Sequence, residues 1–177
     1  MDKEYFSLEN QMKRIEENER REKNKRCFKK KMKNSTFSIL PAWHLTKSEI
    51  DLSHIANDCH KDLKKDSDYS LYLINKEELF RILDDCYRTV YTKEKIWKSH
   101  EPDKITSVLE SWENSNKLIP PILILDLKEE KFLIQDGKHR FAVANYFDAV
   151  YIPVIILNQI EKLFLKLANN SLIKKLE

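Results

Sequence analysis

One glycine, Gly137, serves the whole 177-residue chain. A sequence this poor in glycine keeps it where another side chain fits badly, so its neighbourhood is the place to look for a constrained site. The surroundings are patterned. Pro120-Pro121 leads into a run over residues 122–127 that is apolar but for Asp126, residues 128–131 are polar, and residues 132–135 are apolar again up to Gln135. This reads as a strand, a hairpin turn and a return strand. Asp136-Gly137 interrupts the alternation, residues 138–147 have the pattern of a helix with Phe141, Val143 or Ala144, and Tyr146 or Phe147 inward, and residues 151–157 form another strand. The expected fold is therefore α+β, a small mixed sheet with helices packed on it.

Elsewhere the sequence carries weaker signals. Leu8, Met12 and Ile15 fit one short helical stripe, and residues 16–26 hold nothing apolar, as a solvated helix or a flexible arm would. Residues 37–40 read as a short strand stopped by Pro41. Thr46 and Glu49 have the spacing of a capping box, which predicts a helix over 47–63. A strand is expected at 70–74 and a helix at 76–87 with Leu79, Phe80, Ile82 and Leu83 inward. Asp103 can cap a helix to about residue 112 whose core face is Ile105, Val108, Leu109 and Trp112. An amphipathic helix over 158–167 closes the pattern.

Hydrophobic residues make up 41% of the chain, enough for one core, and the net charge of +3 is unevenly spread. Residues 1–35 carry 12 Lys+Arg against 7 Asp+Glu, and the remainder 20 against 22. The expected organisation is a basic N-terminal helix or arm over residues 1–34 and one domain over 35–177. The run Lys29-Lys30-Lys31 can attract nucleic acid or an acidic partner through its field. Cys27, Cys59 and Cys86 are odd in number and far apart, which argues against a disulfide framework and for reduced thiols in a cytoplasmic setting. The apolar runs are too short to span a bilayer, so no membrane partner is expected.

The Asp136–Arg140 segment stands out chemically. It lies between a strand and a helix, and a helix N-terminus presents free amides and the positive end of the dipole. Lys138, His139 and Arg140 place three potential cations in that first turn. Cations there oppose the dipole unless an anion is present, and a phosphate would resolve the conflict, with Arg140 able to bind it through two parallel hydrogen bonds. Asp136 can orient one of the cations, hold a magnesium ion beside a phosphate, or act as a general base. His139 can donate to a phosphate or shuttle a proton. The bland alternative is an Asp-Gly turn with solvated basic residues.

Residues 118–157 resemble the core of the ParB/sulfiredoxin-like superfamily. The likeness rests on Pro121-Ile122-Leu123-Ile124, on Phe132-Leu133-Ile134-Gln135-Asp136-Gly137-Lys138-His139-Arg140, on Ala142 and Ala144, and on Tyr151-Ile152-Pro153-Val154-Ile155. Members of that superfamily bind nucleotides at this turn, and their activities include CTP-switched DNA clamps, ATP-dependent sulfinic-acid reduction, free-serine phosphorylation and nuclease action. The resemblance implies that Gly137, Lys138, His139 and Arg140 bind nucleotide phosphates. It implies Asp136, His139 and Arg140 as catalytic residues, Asp136 as the magnesium contact, and ATP or CTP with magnesium as the cofactor. Lys138 stands where sulfiredoxins have their reactive cysteine, which rules out their chemistry by that route. No helix-turn-helix DNA reader is expected after the last strand. The leading expectation is a nucleotide-dependent phosphoryl-transfer or hydrolysing enzyme, with a non-catalytic nucleotide-gated or nucleic-acid-binding module, or a nuclease, as alternatives.

Other candidates carry less. His54, Cys59 and His60 lie close together, but positions five apart on a helix face different ways and make a poor ligand set. His44 and His100 read as loop residues able to line a pocket. Asp126 stands at a strand end opposite the motif strand. Arg88, Lys93 and Lys95 offer basic groups that can reach phosphates from across a cleft.

Overall fold

The apolar run Tyr151–Leu157 forms the centre of the molecule because both its faces are covered, and it is buried along most of its length. The computed structural model describes residues 8–34, 36–51, 68–126 and 128–176. Its strands are β1 (Tyr69–Asn75), β2 (Ile122–Asp126), β3 (Lys131–Asp136), β4 (Tyr151–Leu157) and β5 (Ile173–Lys175), in the order β3-β2-β4-β1-β5. The α-helices are α1 (Leu8–Lys31), α2 (Lys76–Ile82), α3 (Cys86–Val90), α4 (Pro102–Glu113), α5 (Lys138–Tyr146) and α6 (Asn158–Leu167). The protein is thus α+β with a mixed sheet: β2 and β4 run parallel, and the other neighbours are antiparallel.

Pro153 sits in the central strand, where a missing N–H would ordinarily break a ladder. The Ile155 amide donates to the Pro121 carbonyl on the β2 side, and Pro153 two residues earlier faces the same way. Pairing with β2 begins only at Ile155, so the absent donor meets no partner strand.

Alternation then sorts the side chains. Tyr72 and Ile74 of β1, Leu123 of β2 and Ile152, Val154 and Ile156 of β4 join the main core with Leu79, Ile105, Leu109, Phe141 and Phe164 from the helices. Tyr69, Leu71, Ile122 and Ile155 project to the opposite face with Ile50. Helix α4 packs against α5 and α1. The α1 side chain Phe28 is buried in the main core, whereas Leu8, Met12 and Ile15 are exposed. The expected stripe lies on a helix, but it does not pack.

Several boundaries differ from expectation. Residues 37–40 form no strand; Phe37 packs edge-on against Phe147 with ring centroids 5.8 Å apart, and Ile39 is buried without a ladder. Only a 3-10 turn, Lys47–Glu49, follows Thr46, whose side chain makes no cap, and the backbone is extended at Ile50. The rest of the helix expected to residue 63, with His54, Cys59 and His60, lies outside the described residues. The helix expected over 76–87 breaks at Leu83, whose extended backbone bridges to Phe132 while the Asp84 amide donates to the Phe132 carbonyl. Glu101 takes the cap position of α4 and Pro102 its first turn, so Asp103 lies inside the helix. The three-residue edge strand β5 was not anticipated.

Candidate functional site

The β2–β3 ladder slips between Ile122 and Leu123: Ile122 pairs with Asp136 but Leu123 with Ile134, so Gln135 is inserted on β3. Such a bulge twists a strand and redirects the chain beyond it. Immediately after it, Gly137 adopts φ +85° and ψ 12° as the cap residue of α5. A Cβ built there would lie 2.8 Å from the Pro121 Cα, closer than carbon atoms approach. Glycine is needed on two independent grounds, a left-handed backbone and contact with another chain segment. No side chain caps α5, and its first intrahelical bond runs from the Phe141 amide to the Gly137 carbonyl. Its leading amides are therefore available to a ligand.

Asp136, Gly137, His139 and Arg140 line one cleft of about 250 Å³ with Lys104, Ser107, Val108 and Ser111 of α4 and Leu118. Arg140 donates to Asp136 at 2.6 Å, and its side chain is only 17% exposed. The carboxylate thus fixes the guanidinium at the cleft wall. Lys104 is held by Glu101 at 3.0 Å. Partial burial, followed by the charge of Lys104, holds His139 below the ordinary imidazole range, with the Arg140 charge acting in the same direction. The imidazole is consequently neutral at pH 7.

Lys138 diverges from the other four. One helical step turns it into a neighbouring cavity with Cys86, Tyr87, Tyr91 and His100, which His139 also lines. His100 packs against Tyr91 at 4.6 Å and against His139 at 5.8 Å between ring centroids. Burial, aided by His139, pushes His100 down to about 4. Cys86 is exposed, yet partial desolvation and then Asp84 push its thiol up to about 11, so it is protonated at neutral pH and is not an activated nucleophile.

Of the other basic residues singled out from the sequence, Lys93 and Lys95 are engaged elsewhere. Lys93 pairs with Asp148 at 2.5 Å and Lys95 donates to the Thr89 carbonyl at 2.6 Å; neither these nor Arg88 line the cleft. Asp126 lies at the hairpin end of β2, away from the Gly137 turn, and accepts from the Lys128 amide. Lys104, Ser107 and Ser111 were missed. Their i, i+3, i+7 spacing runs beside the apolar stripe of α4 and was the available signal.

Among the described residues no group of three or more His, Cys, Asp or Glu side chains is arranged to hold a metal ion. Asp136 is the one carboxylate among the described residues lining the cleft. Among the same residues no helix is long and apolar enough to cross a membrane. Comparison with protein-family models, curated proteins and solved structures finds no match for this chain.

Proposed function

We propose that the cleft at the Gly137 turn binds the phosphates of a nucleotide, ATP or CTP, and that the protein transfers or hydrolyses the terminal phosphoryl group as a ParB/sulfiredoxin-like enzyme. The observation that carries this reading is convergence. Lys104 from α4 and His139 and Arg140 from α5 meet at the uncapped N-terminus of α5. Arg140 held by Asp136, the exposed Lys104, a histidine and free amides around one small cleft form an anion site. Ser107 and Ser111 add hydroxyl donors on the opposite wall.

In this reading catalysis is positioning and charge neutralisation. Asp136 holds Arg140 so that its guanidinium meets the phosphate without reorganisation. Neutral His139 accepts the proton of the attacking hydroxyl or water at an imidazole nitrogen. Magnesium would arrive on the nucleotide phosphates, draw on Asp136 among the described residues lining the cleft, and supply further neutralisation of their charge.

The pairing of Asp136 with Arg140 also favours a second reading. A carboxylate committed to orienting an arginine is not a free base, as suits a nucleotide-gated module without turnover. Incubation with each of ATP, CTP, GTP and UTP plus magnesium, followed by phosphate release, separates the two. Release that is lost in His139→Ala supports the enzyme. A ligand-induced rise in melting temperature without release supports the binder. No thermal shift with any of the four refutes both.

A further inference from the structure

We propose that the nucleoside half of the ligand lies in the groove between α1 and α4, with the guanidinium plane of Arg20 against the base, so that the chain takes mononucleotides rather than polynucleotides. This rests on the phosphate reading above and extends it to the rest of the ligand. The cleft at Gly137 holds about 250 Å³, below the roughly 300–1,000 Å³ usual for a whole small-molecule ligand. It is sized for phosphates, and the nucleoside must lie beyond it. A groove of about 510 Å³ adjoins it, and Lys104 and Ser107 line both spaces. The two therefore adjoin along one face of α4.

The chemistry changes along that path. The cleft is cationic, whereas the groove mixes Glu17, Glu101, Asp103 and Glu110 with the cations Arg20, Arg21 and Lys104. Carboxylates accept hydrogen bonds from sugar hydroxyls and base amino groups, and they repel further phosphates. With four carboxylates against three cations, that lining suits a ribose and base better than a phosphodiester chain continuing from the cleft. Within the groove Arg21 is bound to Glu17 at 2.7 Å and Asn24 donates to Glu110 at 2.5 Å. Arg20 is exposed and, among the described residues, is in no ion pair. A planar guanidinium stacks on a base face, which a lysine ammonium cannot do.

Calorimetric titration of the full chain with ATP, CTP, GTP, UTP and inorganic tripolyphosphate, each with magnesium, tests the assignment. At least one nucleotide should bind more tightly than tripolyphosphate. Arg20→Ala should weaken that nucleotide roughly tenfold while leaving tripolyphosphate unchanged, and Arg20→Lys should not restore it. An Arg20→Ala protein that binds both ligands as wild type does, or loses both equally, overturns the groove assignment. Tighter binding of a single-stranded oligonucleotide than of any mononucleotide overturns the exclusion of polynucleotides. If neither tripolyphosphate nor any nucleotide binds, the phosphate site itself is wrong and this proposal falls with it.

Discussion

Replacing Gly137 by alanine adds one methyl group and meets two obstacles. The backbone at φ +85° costs a non-glycine residue about 1–2 kcal/mol. The new Cβ would lie 2.8 Å from the Pro121 Cα and 3.0 Å from an Arg140 guanidinium nitrogen. Arg140 can swing aside, but Pro121 is backbone and its carbonyl accepts from the Ile155 amide of the central strand. Relieving that contact shifts main chain, at a cost of about 1–3 kcal/mol by analogy with an overpacked core. The sum is about 2–5 kcal/mol, a fall in melting temperature of roughly 4–20 °C for a chain of this size. Urea denaturation of wild type, Gly137→Ala and Gly137→Asn measures it. Asparagine tolerates the left-handed backbone but still carries a Cβ, so it should recover about 1 kcal/mol and no more. A Gly137→Ala protein within about 0.5 kcal/mol of wild type would refute both the strain and the close approach.

Glu161 accepts from Tyr72 and pairs with Lys175, and Lys175 followed by Tyr72 pulls its carboxyl down to about 2. A depressed folded-state value means stability that is present above the unfolded carboxylate range near 4.5 and lost as pH falls toward 2. Glu161→Gln should cost about 1–3 kcal/mol at pH 7, and in denaturation curves the gap to wild type should close between pH 4.5 and 2; a gap that is constant with pH would refute the linkage. Replacing exposed Leu8, Met12 and Ile15 together by serine should change stability by no more than about 1 kcal/mol, since none of them packs in the core; a larger loss in urea titration would place that stripe against the domain. Asp136→Asn removes the charge that fixes Arg140, and should weaken nucleotide binding about tenfold while leaving the melting temperature of the free protein nearly unchanged. Equal loss of both would make Asp136 structural only.

The sheet around the motif was legible because each run had a physical stop. The polar residues 128–131 end β2, Gly137 ends β3, and the aliphatic run of β4 can be satisfied only by burial on both faces. Helix α4 was legible from its period. Leu83 was not, because its apolar spacing continues α2 while a bridge to Phe132 pulls it into extended backbone. Residues 37–40 misled in the opposite sense, Phe37 packing against Phe28 of α1 and against Phe147 just beyond α5 rather than entering a ladder. At the site, the Gly137 turn and its flanking charges could be read directly. The divergence of Lys138 follows from helix rotation, but the cavity that receives it depends on α3 and the loop holding His100. The α4 wall was invisible because Lys104, Ser107 and Ser111 look like an ordinary solvated face until α5 packs beside them.

Because the chain has one glycine, selective ¹⁵N-glycine labelling gives a heteronuclear NMR spectrum with a single cross-peak, the Gly137 amide at the mouth of the cleft. Titration with inorganic tripolyphosphate and with each nucleotide should move that peak to saturation, and Lys104→Ala should raise the midpoint roughly tenfold or more, the loss of one charge-assisted contact. A peak that stays in place at millimolar concentrations of every one of these ligands would contradict the central claim that the turn is a phosphate site.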